Sequence, residues 1–377
     1  MSEVKVLHVY RTYFPDPPGG LQEAIRQICL SVQPFGIENT VFTLSPDPIP
    51  AVIERPEARV VREKSWAAPA SCDLGGVAAF LRFRELAREA DIVHYLFPWP
   101  FGDVLHRMVP AGKPAVLTYI SDIVRQRWIG KAYSHLMWRT LAGMQAVVAN
   151  APAYAQTSPV LSDEAIRDRV RVIPLGIDER SCPQCGDDAI LNRLNLGEYE
   201  PFFLFVGVLR YYKGLSDLVR AAVGVGAKVV IAGSGPEGRA LRSLVASTGA
   251  RNVIFAGQVS DAEKVALLRC CRALVLPSHL RSEAYGMVLV EAAMFGKPMV
   301  SCEIGTGTSF VNAHGETGIV VPPGRPDALG EAMNRMLADD AYVARLGVAA
   351  RLRYEKMFSG EALGRGYAQL FREVAAQ

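Results

Sequence analysis

The sequence predicts an α/β protein built from two doubly wound, Rossmann-like parallel sheets. Short runs rich in valine and isoleucine alternate with segments of helical spacing along almost the whole chain. Strands that are apolar throughout are typical of parallel sheets whose two faces are covered by helices. The chain has 377 residues, half of them hydrophobic, which is long for a single hydrophobic core. We therefore expect two domains, each with its own sheet.

The predicted strands form two series, separated by the polar stretch 178–201. The first series comprises 4–10, 39–44, 58–63, 91–97, 115–120, 146–151 and 170–177. The second comprises 202–208, 228–235, 253–259, 273–278, 298–303 and 318–323. The two domains are accordingly predicted at 1–180 and 181–358, with the helical segment 359–377 packing back on the first. Ligands of such sheets bind at the carboxyl ends of the strands.

Charge and cysteine content exclude several classes of protein. The net charge of +3 is too small to indicate a nucleic-acid-binding protein. The seven cysteines are odd in number and irregularly spaced, which is typical of reduced cytoplasmic thiols. Cys182 and Cys185 have metal-like spacing, but no second pair completes four ligands. Charged residues interrupt the N-terminus where a signal peptide needs an apolar core, and no apolar run of about 18 residues predicts a membrane span.

Two loops that follow predicted strands have residues suited to phosphate groups. Gly19 and Gly20 precede a helix, and they allow close approach of an anion to the backbone N–H groups at its start. Arg210 and Lys213 follow the first strand of the second series, where cations suit a diphosphate. A plain turn at the glycines and solvated charge at the cations are the alternatives, and for isolated residues those alternatives are favoured.

The segment "SEAYGMVLVEAAMFGKP" (282–298) carries two carboxylates eight residues apart. Gly286 should begin a helix that ends near Gly296, which leaves Glu283 in the preceding loop and Glu291 on the helix. A helix carboxylate can accept hydrogen bonds from a ribose diol, and a loop carboxylate can reach a sugar hydroxyl. The alternative is a helix-terminal charge beside a solvated helix face.

These motifs together resemble the retaining glycosyltransferases of the GT-B fold, in particular glycosyltransferase family 4. "SEAYGMVLVEA" resembles their E-x7-E signature, and the likeness extends over nearly the whole chain. Further matching phrases are "VGVLRYYKG" (206–214), "IAGSGPE" (231–237), "FAGQVSDAEK" (255–264) and "HGETGIVVPPGRPDAL" (314–329). "SDIVRQ" (121–126), "RYYKGL" and "TGTSFVNAHGETG" (306–318) most resemble bacterial O-antigen mannosyl- and rhamnosyltransferases.

The resemblance implies roles for individual residues in two domains facing a central cleft. The second domain would bind a nucleotide-sugar and the first the acceptor. Glu291 would hold the ribose hydroxyls, and Glu283 would bind a donor-sugar hydroxyl together with N–H groups at the helix start. The residues implied to surround the diphosphate are Gly19, Gly20, Arg210, Lys213, Gly286, Met287 and Val288.

The resemblance also implies a retaining reaction that needs no cofactor. No D-x-D motif occurs in the sequence, so a metal-free mechanism is expected, in which cations and a helix end replace a divalent ion. The leaving phosphate would itself accept the acceptor's proton on the same face of the sugar.

Two residues depart from the family pattern. Val208 stands where the usual arginine would be, and Arg210 is expected to take that role. Ile120, in "TYISD" (118–122), stands where relatives have a histidine near the donor sugar's 6-hydroxyl. An unpartnered buried hydroxyl costs roughly 1–3 kcal/mol, whereas a buried methyl gains about 1 kcal/mol. We therefore expect GDP-D-rhamnose as donor in preference to GDP-mannose, against the alternative of a neutral core substitution.

The segment 121–141 combines basic and aromatic side chains on a predicted helix, and 80–88 adds further basic residues. Such helices suit anionic lipid headgroups. We expect a cytoplasmic protein, peripheral on the inner face of the bacterial inner membrane, which acts on a polyprenyl-diphosphate-linked saccharide. Other O-antigen transferases are expected as further partners, and nucleic acid is not. The alternative is an ordinary amphipathic helix. Asp122 either faces the acceptor or caps this helix.

Three other functional classes are alternatives to this prediction. A nucleotide-sugar epimerase can share the fold, although the basic aromatic helix argues against it. An inactive transferase acting as an assembly scaffold is disfavoured because Glu283, Glu291, Arg210 and Lys213 are all present. A nicotinamide dehydrogenase is disfavoured because no G-x-G-x-x-G follows the first strand.

Overall fold

The computed structural model describes residues 3–16, 19–68, 72–122, 127–197 and 200–377, with no side-chain description for 127–132. The chain divides into two compact units, Met1–Gly176 with Gly360–Gln377, and Ile177–Ser359. Ile177 belongs with the second unit because its N–H donates to the Phe358 carbonyl at 2.9 Å. Its own carbonyl accepts a hydrogen bond from Tyr354 Oη. The second unit therefore begins before the polar stretch at 178–201.

The described part of the first unit contains a nine-stranded sheet. Its strands are β1 (Val4–Val9), β2 (Ile37–Ser45), β3 (Val52–Glu54), β4 (Arg59–Ala67), β5 (Leu74–Gly75), β6 (Ile92–Phe97), β7 (Ala115–Tyr119), β8 (Ala146–Ala149) and β9 (Val170–Val172). They lie in the order β3-β4-β2-β1-β6-β7-β8-β9, and β5 pairs with β4. Only β3 and β5, among these described strands, run antiparallel to their neighbour.

Helices connect the strands of this unit and cover its sheet. They are α1 (Gly20–Val32), α2 (Val77–Glu89), α3 (Pro100–His106), α4 (Arg127–Ala142) and α5 (Pro152–Thr157). Ile25, Ile28 and Val32 recur on one face of α1 and are fully buried. This amphipathic spacing is what holds the helix on the sheet.

The described part of the second unit has six strands, all parallel. They are β10 (Phe202–Val206), β11 (Lys228–Ala232), β12 (Val253–Gly257), β13 (Ala273–Leu276), β14 (Met299–Cys302) and β15 (Gly318–Val321). The helices are α6 (Ala189–Arg193), α7 (Leu215–Ala222), α8 (Gly238–Thr248), α9 (Asp261–Cys270), α10 (Met287–Met294), α11 (Thr308–Val311), α12 (Pro326–Ala338) and α13 (Asp340–Arg353).

The strand order in this second sheet is β12-β11-β10-β13-β14-β15. The chain therefore starts in the middle, winds outward to β12, and then crosses to β13 on the other side of β10. This is the doubly wound Rossmann order, and the direction of winding reverses between β10 and β13. The predicted pair of doubly wound parallel sheets is confirmed.

The last helix, α14 (Gly360–Ala375), packs against α1 in the first unit. A Cβ at Gly364 would lie 2.0 Å from the Ser31 carbonyl oxygen, so glycine permits this close approach. Tyr367, Leu370 and Phe371 of α14 join the core of the first sheet.

A buried chain of hydrogen bonds crosses that core. Asn39 Nδ2 donates to two backbone carbonyls, so its Oδ1 accepts from His8 Nε2 at 3.0 Å. His8 Nδ1 then accepts from His94 Nδ1, 2.9 Å away. His94 Nε2 accepts from Thr118 Oγ1 at 2.7 Å, and Thr118 accepts from Tyr367 Oη at 2.8 Å. In this chain both imidazole rings are neutral, and the hydrogen bonds determine which nitrogen of each ring carries the proton. Burial lowers the pKa of His8 to about 4, which favours the neutral form.

Candidate active site

Residues suited to a nucleotide-sugar lie around the point where the second sheet reverses its winding. Two loops leave the carboxyl ends of neighbouring strands there, residues 207–214 after β10 and 277–286 after β13. Open α/β sheets bind ligands in the crevice at this location because the two loops diverge to opposite faces. Both candidate clusters predicted for the second domain lie on these loops and on the helices that follow them.

The two loops pack directly on each other. Gly214 adopts φ 67°, and a Cβ at this position would lie 2.0 Å from the Pro277 carbonyl oxygen. The N–H of His279 donates to the Tyr212 carbonyl at 3.0 Å. This close approach requires glycine, and it fixes the one-turn helix Tyr211–Lys213 beside the segment that carries Glu283.

Lys213 and Glu283 form an ion pair between these loops. Lys213 Nζ donates to Glu283 Oε2, and the two side chains are only 12% and 11% exposed. Ser278 Oγ donates to the same carboxylate oxygen at 3.2 Å. Thr306 Oγ1 holds the backbone of Glu283 by donating to its carbonyl at 2.8 Å. Glu283 Oε1 has no partner among the described residues, so this oxygen remains available to a ligand hydroxyl.

The N-terminus of α10 lies next to this pair in the chain. Gly286 precedes the helix with φ 84°, and a Cβ there would lie 2.9 Å from Leu276 Cδ2. Within the described chain, the N–H groups of Met287 and Val288 have no acceptor, as is usual in the first turn of a helix. These N–H groups and the helix dipole make a site that favours negative charge.

Glu291 lies one turn further along α10 and is held by Lys264 of α9. Lys264 Nζ donates to Glu291 Oε1 at 2.8 Å and lies 3.4 Å from Asp261 Oδ1. Burial would lower the pKa of Lys264, but the charges of Glu291 and Asp261 outweigh it and raise the pKa. The two paired side chains are 24% and 19% exposed. Glu291 Oε2 has no partner among the residues described.

No motif in the sequence marks Lys264 as a site residue. A signal for its position was present, because Ser260 and Glu263 form a capping box that begins α9 directly after β12. That start places Lys264 in the first turns of a helix at the carboxyl edge. The pairing with Glu291 depends on how α9 and α10 pack, which the sequence does not specify.

Arg210 and Val208 both point away from the core. Arg210 is exposed, and its side chain makes no hydrogen bond or ion pair with the described residues. Val208 is 51% exposed, whereas Leu209 between them is buried. Arg210 is therefore a cation at the carboxyl edge of β10 that is free to pair with an anionic ligand.

In the first unit, Gly19 and Gly20 are exposed at the start of α1. The backbone of Gly19 is extended, and a Cβ there would lie 2.7 Å from Gln22 Oε1. Gln22 in turn donates to Thr12 Oγ1 at 2.6 Å. At Gly20 the space around a Cβ is open. The predicted helix start is thus present, with Gly19 directly before it in an extended conformation.

Ile120 and Asp122 follow β7 at the same edge. Ile120 is buried, and its N–H donates to the Phe97 carbonyl at 3.2 Å. Asp122 Oδ1 accepts hydrogen bonds from Tyr119 Oη at 3.2 Å and Ser158 Oγ at 2.6 Å. Burial and the Asp122 charge together raise the pKa of Tyr119. Two partners of the Asp122 carboxylate are thus neutral hydroxyls.

The structure thus brings one set of predicted residues to each carboxyl edge. In the second unit these are Arg210, Lys213, Glu283, Gly286, Met287, Val288 and Glu291. In the first unit they are Gly19, Gly20, Ile120 and Asp122. The predicted basic helix is present in part as α4, but Arg125 lies outside the described residues, as do the side chains of Arg127, Trp128 and Lys131. In the described chain, no three His, Cys, Asp or Glu side chains are grouped so as to hold a metal ion.

A doubly wound sheet in each unit, with cations and carboxylates at the strand edge of the second, is typical of nucleotide-sugar-dependent transferases. Comparisons with known proteins agree. The family model described as "Glycosyltransferase Family 4" matches residues 18–181, and the one described as "Glycosyl transferases group 1" matches 187–353. The chain belongs to glycosyltransferase family 4 and is a hexosyltransferase.

Individual relatives cover almost the whole chain. It is 46% identical to D-rhamnosyltransferase WbpZ of Pseudomonas aeruginosa, over 94% of this chain and 92% of that protein. It is 39% identical to O-antigen chain mannosyltransferase C of Escherichia coli, over 98% of each chain. The solved structure of Anabaena Alr3699/HepE in complex with UDP and glucose superposes with a TM-score of 0.77 at 18% identity, covering 98% of this chain and 100% of that one. This likeness shows the same GT-B fold.

Proposed function

We propose that the protein is a retaining, metal-independent transferase of O-antigen synthesis. It moves D-rhamnose, in preference to mannose, from a GDP-sugar to a polyprenyl-diphosphate-linked saccharide. The observation that carries the proposal is the Lys213–Glu283 pair beside the free N–H groups of Met287 and Val288. The names of the D-rhamnosyl- and mannosyltransferase relatives support the sugar class.

The leaving group is stabilised by cations and backbone dipoles. As the bond from the sugar to the diphosphate breaks, negative charge grows on the phosphate oxygens. Positive charge at this edge of the sheet comes from Lys213 Nζ, Arg210 and the N-terminus of α10. Preorganised groups of this kind usually give the largest stabilisation of the transition state. Lys213 must then donate hydrogen bonds to both Glu283 and the diphosphate, and its three N–H groups allow this.

Two carboxylates orient the rest of the donor. Glu283 Oε1 accepts a hydrogen bond from a sugar hydroxyl, and Glu291 Oε2 accepts from the ribose hydroxyls. Each carboxylate has its other oxygen fixed by a lysine. The acceptor hydroxyl attacks the sugar on the face that the diphosphate leaves, and the departing phosphate oxygen takes its proton. Configuration is retained and no side chain acts as nucleophile.

Ile120 supports the choice of D-rhamnose over mannose. The side chain is buried at the carboxyl end of β7 and can pack against a methyl group, but it cannot accept or donate a hydrogen bond. A 6-hydroxyl next to it would lose its water partners without replacement, at a cost of roughly 1–3 kcal/mol. GDP-mannose is therefore the poorer donor.

The acceptor requires access to a membrane surface. None of the described helices combines the length and apolar composition needed to cross a bilayer. The protein works in the cytoplasm, peripheral to the inner face of the inner membrane, where a polyprenyl-linked acceptor is anchored. Other transferases of the same polysaccharide are its partners there.

Competition between two donors tests this proposal. Purified protein is supplied with equal GDP-D-rhamnose and GDP-mannose, a lipid-linked acceptor and EDTA, and both products are quantified. We expect rhamnosyl product to exceed mannosyl product by about tenfold, and Ile120→His to reduce or reverse this ratio. Equal use of both donors would refute the sugar assignment, and loss of all turnover with EDTA would refute the metal-free mechanism. Donor conversion without acceptor would indicate the epimerase instead.

A further inference from the structure

The first unit exposes a cluster of large apolar side chains on and beside α2. Trp66 at the end of β4 is 72% exposed, and Val77 and Leu81 on α2 are 68% and 64% exposed. Leu74 of β5 is also exposed. Single exposed apolar residues are common, but a contiguous group that includes a tryptophan indicates an interaction surface.

Backbone pairing makes these side chains neighbours. In the β4–β5 ladder Ala67 pairs with Leu74, so Trp66 lies beside the start of α2. A Cβ at Gly76 would lie 2.2 Å from Trp66 Cζ2, so the indole ring rests on the glycine that precedes Val77. The ring is therefore held in its outward position by a local contact.

Two unpaired cations extend the same stripe of α2. Val77, Leu81, Arg84 and Arg88 recur at spacings of four, three and four, which puts them on one helix face. Arg84 and Arg88 are exposed and make no side-chain hydrogen bond or ion pair with the described residues. The acidic Glu85 and Glu89 lie on the flank of this stripe, and Glu85 is paired with Arg82 at 2.5 Å.

This surface borders the carboxyl edge of the first sheet. Trp66 is at the carboxyl end of β4, which runs parallel to β2. The segment before α2 contacts residues that follow β6, because Trp99 Nε1 donates to the Asp73 carbonyl at 2.9 Å. A Cβ at Gly75 would lie 3.2 Å from Phe101 Cζ. The exposed cluster thus adjoins the edge at which the first unit should bind its ligand.

We infer that Trp66, Leu74, Val77, Leu81, Arg84 and Arg88 form a bilayer-docking surface, here named the α2 face. An amphipathic tryptophan with aliphatic neighbours enters the headgroup boundary, and adjacent arginines pair with anionic lipid phosphates. The basic stripe fits an anionic bilayer better than a neutral one. Docking through this face brings the carboxyl edge of the first sheet to the membrane surface, where a lipid-linked acceptor leaves the bilayer. This inference deepens the membrane location given in the proposed function, and the last point rests on the sugar transfer proposed there.

Vesicle sedimentation tests the α2 face without any substrate. Full-length protein is mixed with vesicles of phosphatidylcholine alone or with about 30% phosphatidylglycerol. We expect binding to the anionic vesicles, reduced at least tenfold by Val77→Ser with Leu81→Ser and at least tenfold by Arg84→Gln with Arg88→Gln. Trp66→Ser is measured separately because its ring also contacts Gly76. Val348→Ser with Leu352→Ser changes two similarly exposed apolar residues of the second unit and should leave binding unchanged.

The outcomes separate this inference from the proposed function. Equal vesicle binding by wild type and the Val77/Leu81 variant, with thermal unfolding unchanged, would overturn the α2 face. So would loss of self-association or of a protein complex in that variant while vesicle binding persists, since the surface would then bind protein. Turnover of a detergent-dispersed acceptor should be the same in wild type and variant, and a failure to transfer sugar would contradict the proposed function alone.

Discussion

The predicted site residues at the carboxyl edges of the two sheets have different polar partners. In the second unit the edge has two lysine–glutamate pairs, an exposed arginine and the free N–H groups of α10. In the first unit, Asp122 Oδ1 accepts from the hydroxyls of Tyr119 and Ser158, and the Asp122 N–H donates to Tyr154 Oη. Charge that develops during a reaction needs fixed cations, whereas a neutral saccharide needs hydrogen-bond partners. We therefore expect the second unit to stabilise the leaving group.

The two lysine–glutamate pairs themselves differ. Lys213 and Glu283 lie on loops and are the more buried pair, with one carboxylate oxygen shared by Lys213 and Ser278. Lys264 and Glu291 lie on two helices, and Asp261 holds Lys264 as well. We expect Lys213 to contact a bound ligand and Lys264 to orient Glu291. Substitution of Lys213 should therefore lower turnover, whereas substitution of Lys264 should weaken donor binding.

Lys213→Met should have the largest effect on catalysis. Loss of a preorganised cation at a developing phosphate charge typically lowers turnover by about 10²–10³-fold. We expect kcat to fall by this amount while KM for the donor changes much less, as steady-state rates with saturating acceptor would show.

Stability provides the control for that variant, because Lys213→Met also leaves the buried Glu283 without its lysine. Lys213→Met with Glu283→Gln removes the uncompensated charge and should restore the melting temperature but not kcat. Recovery of turnover in the double variant would mean that Lys213 only neutralises Glu283.

Acid should destabilise the first unit through its buried histidines. Because burial lowers the pKa of His8 to about 4, the unfolded chain binds more protons than the folded one between that pH and about 6.5. The free energy of unfolding is therefore highest above about pH 6.5. It falls as the pH approaches 4, and His8 accounts for about 3 kcal/mol of this fall. Burial lowers the pKa of His94 in the same direction.

The measurement is urea unfolding at pH 7.5 and pH 5, compared with His8→Gln together with His94→Gln. The comparison with this variant is needed because burial raises the pKa of Asp103 to about 6, which stabilises the folded state as pH falls. Wild type should lose more stability than the variant on acidification. An equal loss in both proteins would show that the histidine chain does not control acid stability.

Lys264→Met should have the smallest effect, and on binding rather than turnover. A partly exposed ion pair couples by about 1 kcal/mol, which corresponds to roughly fivefold in affinity. We expect the dissociation constant of GDP to rise by this factor with kcat nearly unchanged. A large fall in kcat would mean that Lys264, and not Lys213, serves the leaving group.

The strands of both sheets were predictable, and the exceptions have a physical explanation. Every predicted strand overlaps an observed one, because apolar runs of buried parallel strands are unambiguous. β3 (Val52–Glu54) and β5 (Leu74–Gly75) were missed. Both are short, exposed in part and antiparallel to β4, so tertiary pairing and not local pattern defines them.

The candidate site was predictable where a loop position follows from a strand end. Arg210, Lys213 and Glu283 are such residues, and Gly286 directly precedes α10, within one residue of the start that the glycine pattern predicts. The ion pairs were not predictable, since Lys213 and Glu283 are separated by 70 positions in the chain. Lys264 was missed for the same reason. The sequence identifies residues at the edge, and the packing of α9 and α10 decides which of them pair.

We propose that the nucleotide-sugar site is formed by α10, the Lys213–Glu283 pair before it and the Lys264–Glu291 pair on it. The most direct test is calorimetric titration of GDP and 2′,3′-dideoxy-GDP into wild type, Glu291→Ala and the control Glu331→Ala, an exposed acid on α12. Wild type and the control should bind GDP about tenfold more tightly than the dideoxy compound, and Glu291→Ala should bind both with the weaker affinity. A preference for GDP that survives in Glu291→Ala would contradict the account.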